Sequence, residues 1–171
     1  MVQLREWAVR GRLFAILDAT DTPSVPIKAG ELGEEHAVSL YRGQAEEDLW
    51  TIAPFLVQVD SATLEWIAES LWPEPWGIFV LADDSLENLR LHLRRFLVVE
   101  GPNGESWYFR FYDPRVLVKY LDSCTAEELT AFLGPIHAFG VTDPDSYGVK
   151  VLRPAGPSPT GAEPRPVTVR R

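Results

Sequence analysis

The strongest constraint on the fold is the run Leu13-Phe14-Ala15-Ile16-Leu17, which ends at Asp18. Strand side chains alternate between faces, so an unbroken apolar run predicts a strand covered on both sides. This segment is expected to be the central strand of a sheet with packed layers above and below it. Pro54-Phe55-Leu56-Val57-Gln58-Val59 and the apolar stretch 76–82 read as two further strands.

Helical patterns alternate with these strands. Ser61 is placed to cap a helix with Leu64, Ile67, Ala68 and Leu71 on one face, and Pro73 and Pro75 stop it. Ser85 caps another, carrying Leu86, Leu89, Leu93 and Phe96 or Leu97. Strand, helix, strand, helix predicts at least one parallel crossover. Residues 21–33, with their prolines and glycines, read as loop with at most one helical turn, followed by a short helix near residues 36–41 that Gly43 stops.

The pattern then changes. Gly101-Pro102-Asn103-Gly104 lies between Leu97-Val98-Val99 and residues 107–112, which predicts an antiparallel hairpin. Alternation in its second arm sends Trp107, Phe109 and Phe111 to one face and Tyr108, Arg110 and Tyr112 to the other. Asp113-Pro114 supplies an N-cap and a first-turn proline for a helix through Val116, Leu117, Tyr120 and Leu121. Thr125 with Glu128 makes a capping box for the next helix, which carries Leu129, Phe132 and Leu133 and closes at Gly134-Pro135. The expected fold class is α/β: a single domain with a central mixed sheet, parallel crossovers plus an antiparallel hairpin, flanked by helices.

A chain of 171 residues that is 46% hydrophobic suits one core, expected over residues 1–152. Residues 153–171 contain five prolines, four arginines and one glutamate with almost no aliphatic side chains, so burial there does not offset the entropy of ordering. A flexible Pro-rich tail is expected. The formal net charge of -9 repels a nucleic-acid backbone, and nucleic acid is not an expected partner. Cys124 is the single cysteine, so no intrachain disulfide forms. The first seven residues lack the apolar stretch of a signal peptide, and no apolar run approaches the about 20 residues a membrane helix needs. A soluble cytoplasmic protein without a membrane partner is the expectation.

No pattern demands chemistry. His36, His92 and His137 lie on different predicted elements without a second ligand at metal-binding spacing, and no Gly-rich phosphate loop follows the first strand. No catalytic residue, metal or cofactor is predicted. A hydrolase-like site remains open if His92 and Asp113 converge on Asp18, because sites in α/β sheets form at the carboxyl ends of strands. The polar residues embedded in apolar stretches are Asp18, Arg94, Arg110, Asp113 and Arg115. Such groups pair internally or line a groove that meets a partner. Arg90, Arg94 and Arg95 form a basic cluster, with Glu87 within reach of Arg90.

Several blocks, taken in order, carry a resemblance. They are Ala15-Ile16-Leu17-Asp18-Ala19, Tyr41-Arg42-Gly43, Pro54-Phe55-Leu56-Val57, Trp76-Gly77-Ile78-Phe79, Leu86-Glu87, His92-Leu93-Arg94, Tyr108, Phe109-Arg110-Phe111-Tyr112-Asp113-Pro114-Arg115-Val116-Leu117 and Gly134-Pro135-Ile136. Together they resemble the effector-chaperone, or adaptor, domain of bacterial type VI secretion, and the run 109–117 is the most specific of them. The resemblance spans about residues 12–137. It implies a protein that is not an enzyme, that binds a toxin effector and that helps load it onto the VgrG spike. Within it, Tyr108, Arg110, Tyr112, Asp113 and Arg115 are the expected partner-binding residues, while Asp18 and Arg94 brace the platform or line the groove. A regulatory domain that binds some unrelated protein is the third reading.

Overall fold

The computed structural model describes residues 2–72, 74–101, 103–143, 148–153 and 168–169. Strand β1 (Leu13–Asp18) runs inside a six-stranded sheet, and all six of its residues are buried. It lies between β3 (Pro54–Gln58) and β4 (Gly77–Ala82). Beyond β3 the sheet ends in β2 (Ala37–Ser39), and beyond β4 it continues through β7 (Ile136–Asp143) to β8 (Gly148–Leu152).

Every neighbouring pair in this sheet is antiparallel, which corrects the expected mixed sheet with parallel crossovers. The reason is strand order. Helix α2 (Ser24–Leu32) connects β1 to β2, and α4 (Ser61–Ser70) lies between β3 and β4. Each helix links strands that point the same way, yet β3 is inserted between the first pair and β1 between the second. These are split β-α-β units, whose equidirectional strands never exchange hydrogen bonds.

The sheet separates two cores. Leu13, Ala15 and Leu17 face α1 (Val2–Val9), α2 and α4, represented by Leu4, Val25, Leu64 and Ile67. Phe14 and Ile16 face α5 (Leu86–Arg94), α6 (Pro114–Ser123) and α7 (Ala126–Leu133), represented by Leu93, Leu117 and Phe132. Ser85 caps α5, Asp113 caps α6 with Pro114 in its first turn, and Thr125 and Glu128 form the capping box of α7. Asp60, rather than Ser61, caps α4: its carboxylate accepts from the Thr63 amide at 2.7 Å.

Two local expectations fail for tertiary reasons. The stretch near residues 36–41 is strand β2 instead of a helix, because the Leu40 amide and the His36 carbonyl are taken by β3. Residues 24–32 form a nine-residue helix despite Pro26. Pro26 sits in the first turn, where the missing amide has no intrahelical acceptor to lose. A short α3 (Gln44–Asp48) and a single 3-10 turn, Trp50–Ile52, then lead into β3.

The predicted hairpin exists as β5 (Val98–Glu100) and β6 (Ser106–Tyr108), but it forms a separate small sheet. Strand β9 (Thr168–Val169) pairs with β5 on its other edge. The second arm stops at Tyr108, so the alternation expected through residue 112 breaks down. Phe111 and Tyr112 are both buried, whereas Trp107 is 53% exposed. The rest of the expected tail, residues 154–167 and 170–171, lies outside the described residues. Among the described residues, no helix is long and apolar enough to cross a membrane.

Candidate functional site

The segment between β6 and α6 leaves the small sheet and docks on the end of the large one. The Phe109 amide bonds the Leu97 carbonyl at 2.8 Å, and the chain then turns so that the Asp113 amide bonds the Arg110 carbonyl at 3.0 Å. This turn carries the exposed Arg110 across to Asp18 at the carboxyl end of β1, where their side chains form an ion pair. The other Asp18 oxygen accepts from the Thr20 amide at 3.1 Å. Tyr112 lies under the pair, with the Arg110 guanidinium 5.8 Å from its ring centroid. Burial, followed by the Asp18 carboxylate and Tyr41, holds the Tyr112 phenol above its ordinary range. Tyr108 packs edge-on against Tyr41 at 5.7 Å, and the residue remains 45% exposed.

Asp18 is buried while 43% of the Arg110 side chain remains exposed, so the pair is intermediate between a surface bridge and a buried one. A double-mutant cycle with Asp18→Asn and Arg110→Met is expected to give a coupling energy of about 1 kcal/mol by urea unfolding. Strict additivity of the two changes would show that the pair contributes nothing.

Asp113 and Arg115 form a second pair two residues apart. The Arg115 guanidinium donates to both carboxylate oxygens, at 2.9 and 2.6 Å, and the Arg115 amide donates at 2.9 Å as the helix cap. These bonds, the side-chain ones first, hold the Asp113 carboxyl below its ordinary value. A lowered folded-state value stabilises the fold fully above the unfolded value of about 3.9, and the contribution is lost as pH falls through the folded value. Arg115→Met is therefore expected to raise the Asp113 titration midpoint and shift acid unfolding to higher pH. Carboxyl NMR and a circular-dichroism pH titration read the two effects, and an unmoved Asp113 midpoint would contradict the assignment.

Arg94 does not join either pair. From α5 it donates to the carbonyls of Leu40 at 2.9 Å, Ser39 at 3.4 Å and Tyr41. Arg90, one turn earlier, donates to the Ser39 carbonyl and to Glu46, both at 3.0 Å. These two arginines satisfy the carbonyls at the end of the short edge strand β2 and tie it to the helix layer.

His92 bonds backbone rather than either carboxylate, and the Arg110 guanidinium that pairs with Asp18 also lies within electrostatic reach of Asp113. The His92 ring bonds the Phe132 carbonyl at 2.8 Å, and each carboxylate is occupied by its own arginine. Burial pushes the Cys124 thiol up to about 11, far from the range of an activated nucleophile. Among the described residues, no group of three His, Cys, Asp or Glu side chains is placed to hold a metal ion.

A feature that sequence reasoning missed lies along β2: an open-sided cleft of about 700 Å³ between α2, the edge strand, the 3-10 turn and α5. Trp50, 50% exposed, lines it. The available signal was Leu49-Trp50-Thr51-Ile52, an apolar patch behind an acidic segment that no predicted element buried.

The profile of the family described as "Domain of unknown function (DUF4123)" matches residues 13–131. The chain belongs to that family. The family domain runs from β1 into α7 and so contains both arginine–aspartate pairs, the β2 clamp and the cleft, while β7 and β8 fall outside the match. No curated protein and no solved structure matches the chain.

Proposed function

We propose that this chain is a cytoplasmic adaptor that binds a type VI secretion toxin effector and helps load it onto the VgrG spike. The observation that carries the reading is the most specific block of the resemblance, residues 109–117. Its buried members Phe111, Tyr112 and Asp113 anchor it, while Arg110, Arg115 and the preceding Tyr108 remain exposed. Exposed Arg and Tyr side chains on a rigid base are the composition that protein interfaces favour. The occupied carboxylates of Asp18 and Asp113 leave no free general base there, which weighs against a hydrolase-like site.

The test is affinity isolation under native expression, with identification of what co-purifies. Recovery of a toxin and a spike protein is the expected result. The double charge reversal Arg110→Glu and Arg115→Glu should lower toxin recovery at least about tenfold, with circular dichroism establishing that the variant is folded. Absence of both partners from the wild-type isolate would sink the proposal. Unchanged recovery with the folded variant would remove residues 108–115 from the interface.

A further inference from the structure

The cleft beside β2 combines three properties that point to one kind of occupant. Its floor and one wall are apolar, formed by Ala29, Val38 and Phe55 with the exposed ring of Trp50 at the rim. It follows the free side of β2, the terminal strand of the sheet, and a terminal strand offers unpaired backbone groups to another extended chain. Its charged lining consists of Glu34, Glu46 and Glu87 against Arg90 alone, an excess of two negative charges. Arg90 already bridges Glu46 and Glu87, and Arg94 approaches Glu46 from behind at 3.7 Å. Glu34 has no ion pair or hydrogen bond among the described residues.

On the outer side of β2 the Ala37 amide already bonds the Gly33 carbonyl at 2.9 Å and the Ser39 carbonyl is clamped by Arg90 and Arg94, so the course left to an added chain is the short stretch between them, beside the apolar lining and Glu34 and Glu87. The acidic lining excludes a nucleic-acid strand and favours cationic side chains. We propose that this cleft docks an extended segment of a partner protein, with an apolar side chain against Trp50 and Lys or Arg side chains against Glu34 and Glu87. The identity of that partner as secretion cargo or spike rests on the adaptor reading; the chemistry of the cleft does not.

Two ten-residue peptides test the site directly, one alternating Val with Lys and the other alternating Val with Glu. Each is titrated into the ¹⁵N-labelled full chain while the Trp50 indole and Gly33 amide signals are followed. The Lys peptide is expected to move both signals, and Glu34→Lys with Glu87→Lys should weaken its binding at least about tenfold, since both carboxylates are exposed and their replacement leaves the core intact. Equal effects of the two peptides, shifts mapping away from the cleft, or no shift at millimolar peptide would each overturn the proposal. A second arm repeats the affinity isolation with Trp50→Ala and Glu34→Lys. Loss of the toxin or spike supports the cleft, and an unchanged complex overturns it while leaving the adaptor reading intact. If the Lys peptide binds as expected but the wild-type chain recovers neither toxin nor spike, the adaptor reading falls and the cleft stands.

Discussion

Gly77→Ala is expected to cost about 3 kcal/mol or more and to lower the melting temperature by roughly 6–12 °C. Gly77 opens β4 with φ at 146°, and a Cβ built there would sit 1.9 Å from the Ile16 carbonyl oxygen. The contact cannot relax through a side-chain rotation, because the opposing atoms belong to the backbone of β1, with Leu17 Cα only 3.3 Å away. Either β1 or β4 must move, and β1 is hydrogen-bonded on both sides. Movement there also reaches the end of the sheet that carries the Asp18–Arg110 pair, since the Asp18 amide bonds the Trp76 carbonyl at 2.8 Å. Gly33→Ala is the control: φ is 73°, but no atom lies within 4 Å of the added Cβ. With ψ at 168° this is the extended positive-φ region that glycine alone adopts readily, so the change should cost only the backbone strain of about 1–3 kcal/mol. Urea unfolding of both variants separates clash from strain, and a Gly77→Ala loss no larger than that of Gly33→Ala would contradict the argument.

The same central strands show what the sequence made legible. Leu13 to Leu17 could only be satisfied by burial on both faces, and the strand sits between two helical layers for that reason. The caps Ser85, Asp113 and Thr125 were readable because a cap is decided by side chains within three residues. Strand order was not readable in that way. The apolar pattern of β3 states that it is buried, and nothing local states that it inserts between β1 and β2. Strand β2 was hidden for a related reason: three residues carry too little pattern to outweigh the pairing that β3 imposes.

The candidate site divides along the same line. Asp18, Arg110, Asp113 and Arg115 stood out as charges inside apolar stretches, and all four are paired. Which charge meets which was not encoded, because Asp18 and Arg110 are 92 positions apart and meet only once the sheet end and the turn before α6 are assembled. Arg94 belongs to that set by pattern, yet it serves the backbone carbonyls of Leu40 and Tyr41, just past the end of β2. The cleft is not legible in the sequence because its lining is assembled from α2, β2, α3, the 3-10 turn, β3 and α5, and only the stretch around Trp50 leaves a trace as an apolar patch without a predicted partner.

What holds the exposed arginines in place can be decided by magnitude. Phe132 is fully buried and its ring meets Phe96 at 5.1 Å, Phe111 at 5.6 Å, Tyr120 at 5.0 Å and Phe139 at 5.6 Å. Phe111 in turn packs edge-on against Tyr112 at 5.8 Å, directly beneath Arg110. Phe132→Ala removes the ring on which this cluster converges and leaves a cavity that neighbours on a sheet and three helices cannot close, so about 3–5 kcal/mol should be lost. Phe132→Leu keeps most of the volume and should cost clearly less. The Asp18–Arg110 pair, at about 1 kcal/mol, is the smaller term. The aromatic cluster therefore fixes the turn, and the ion pair sets the direction in which Arg110 points. Phe132→Ala should accordingly lower the near-ultraviolet dichroism of the rings and broaden the Arg110 and Tyr112 amide resonances, while Asp18→Asn should leave both largely intact. The reverse order, a larger disturbance from Asp18→Asn than from Phe132→Ala, would show that the charge pair organises the platform.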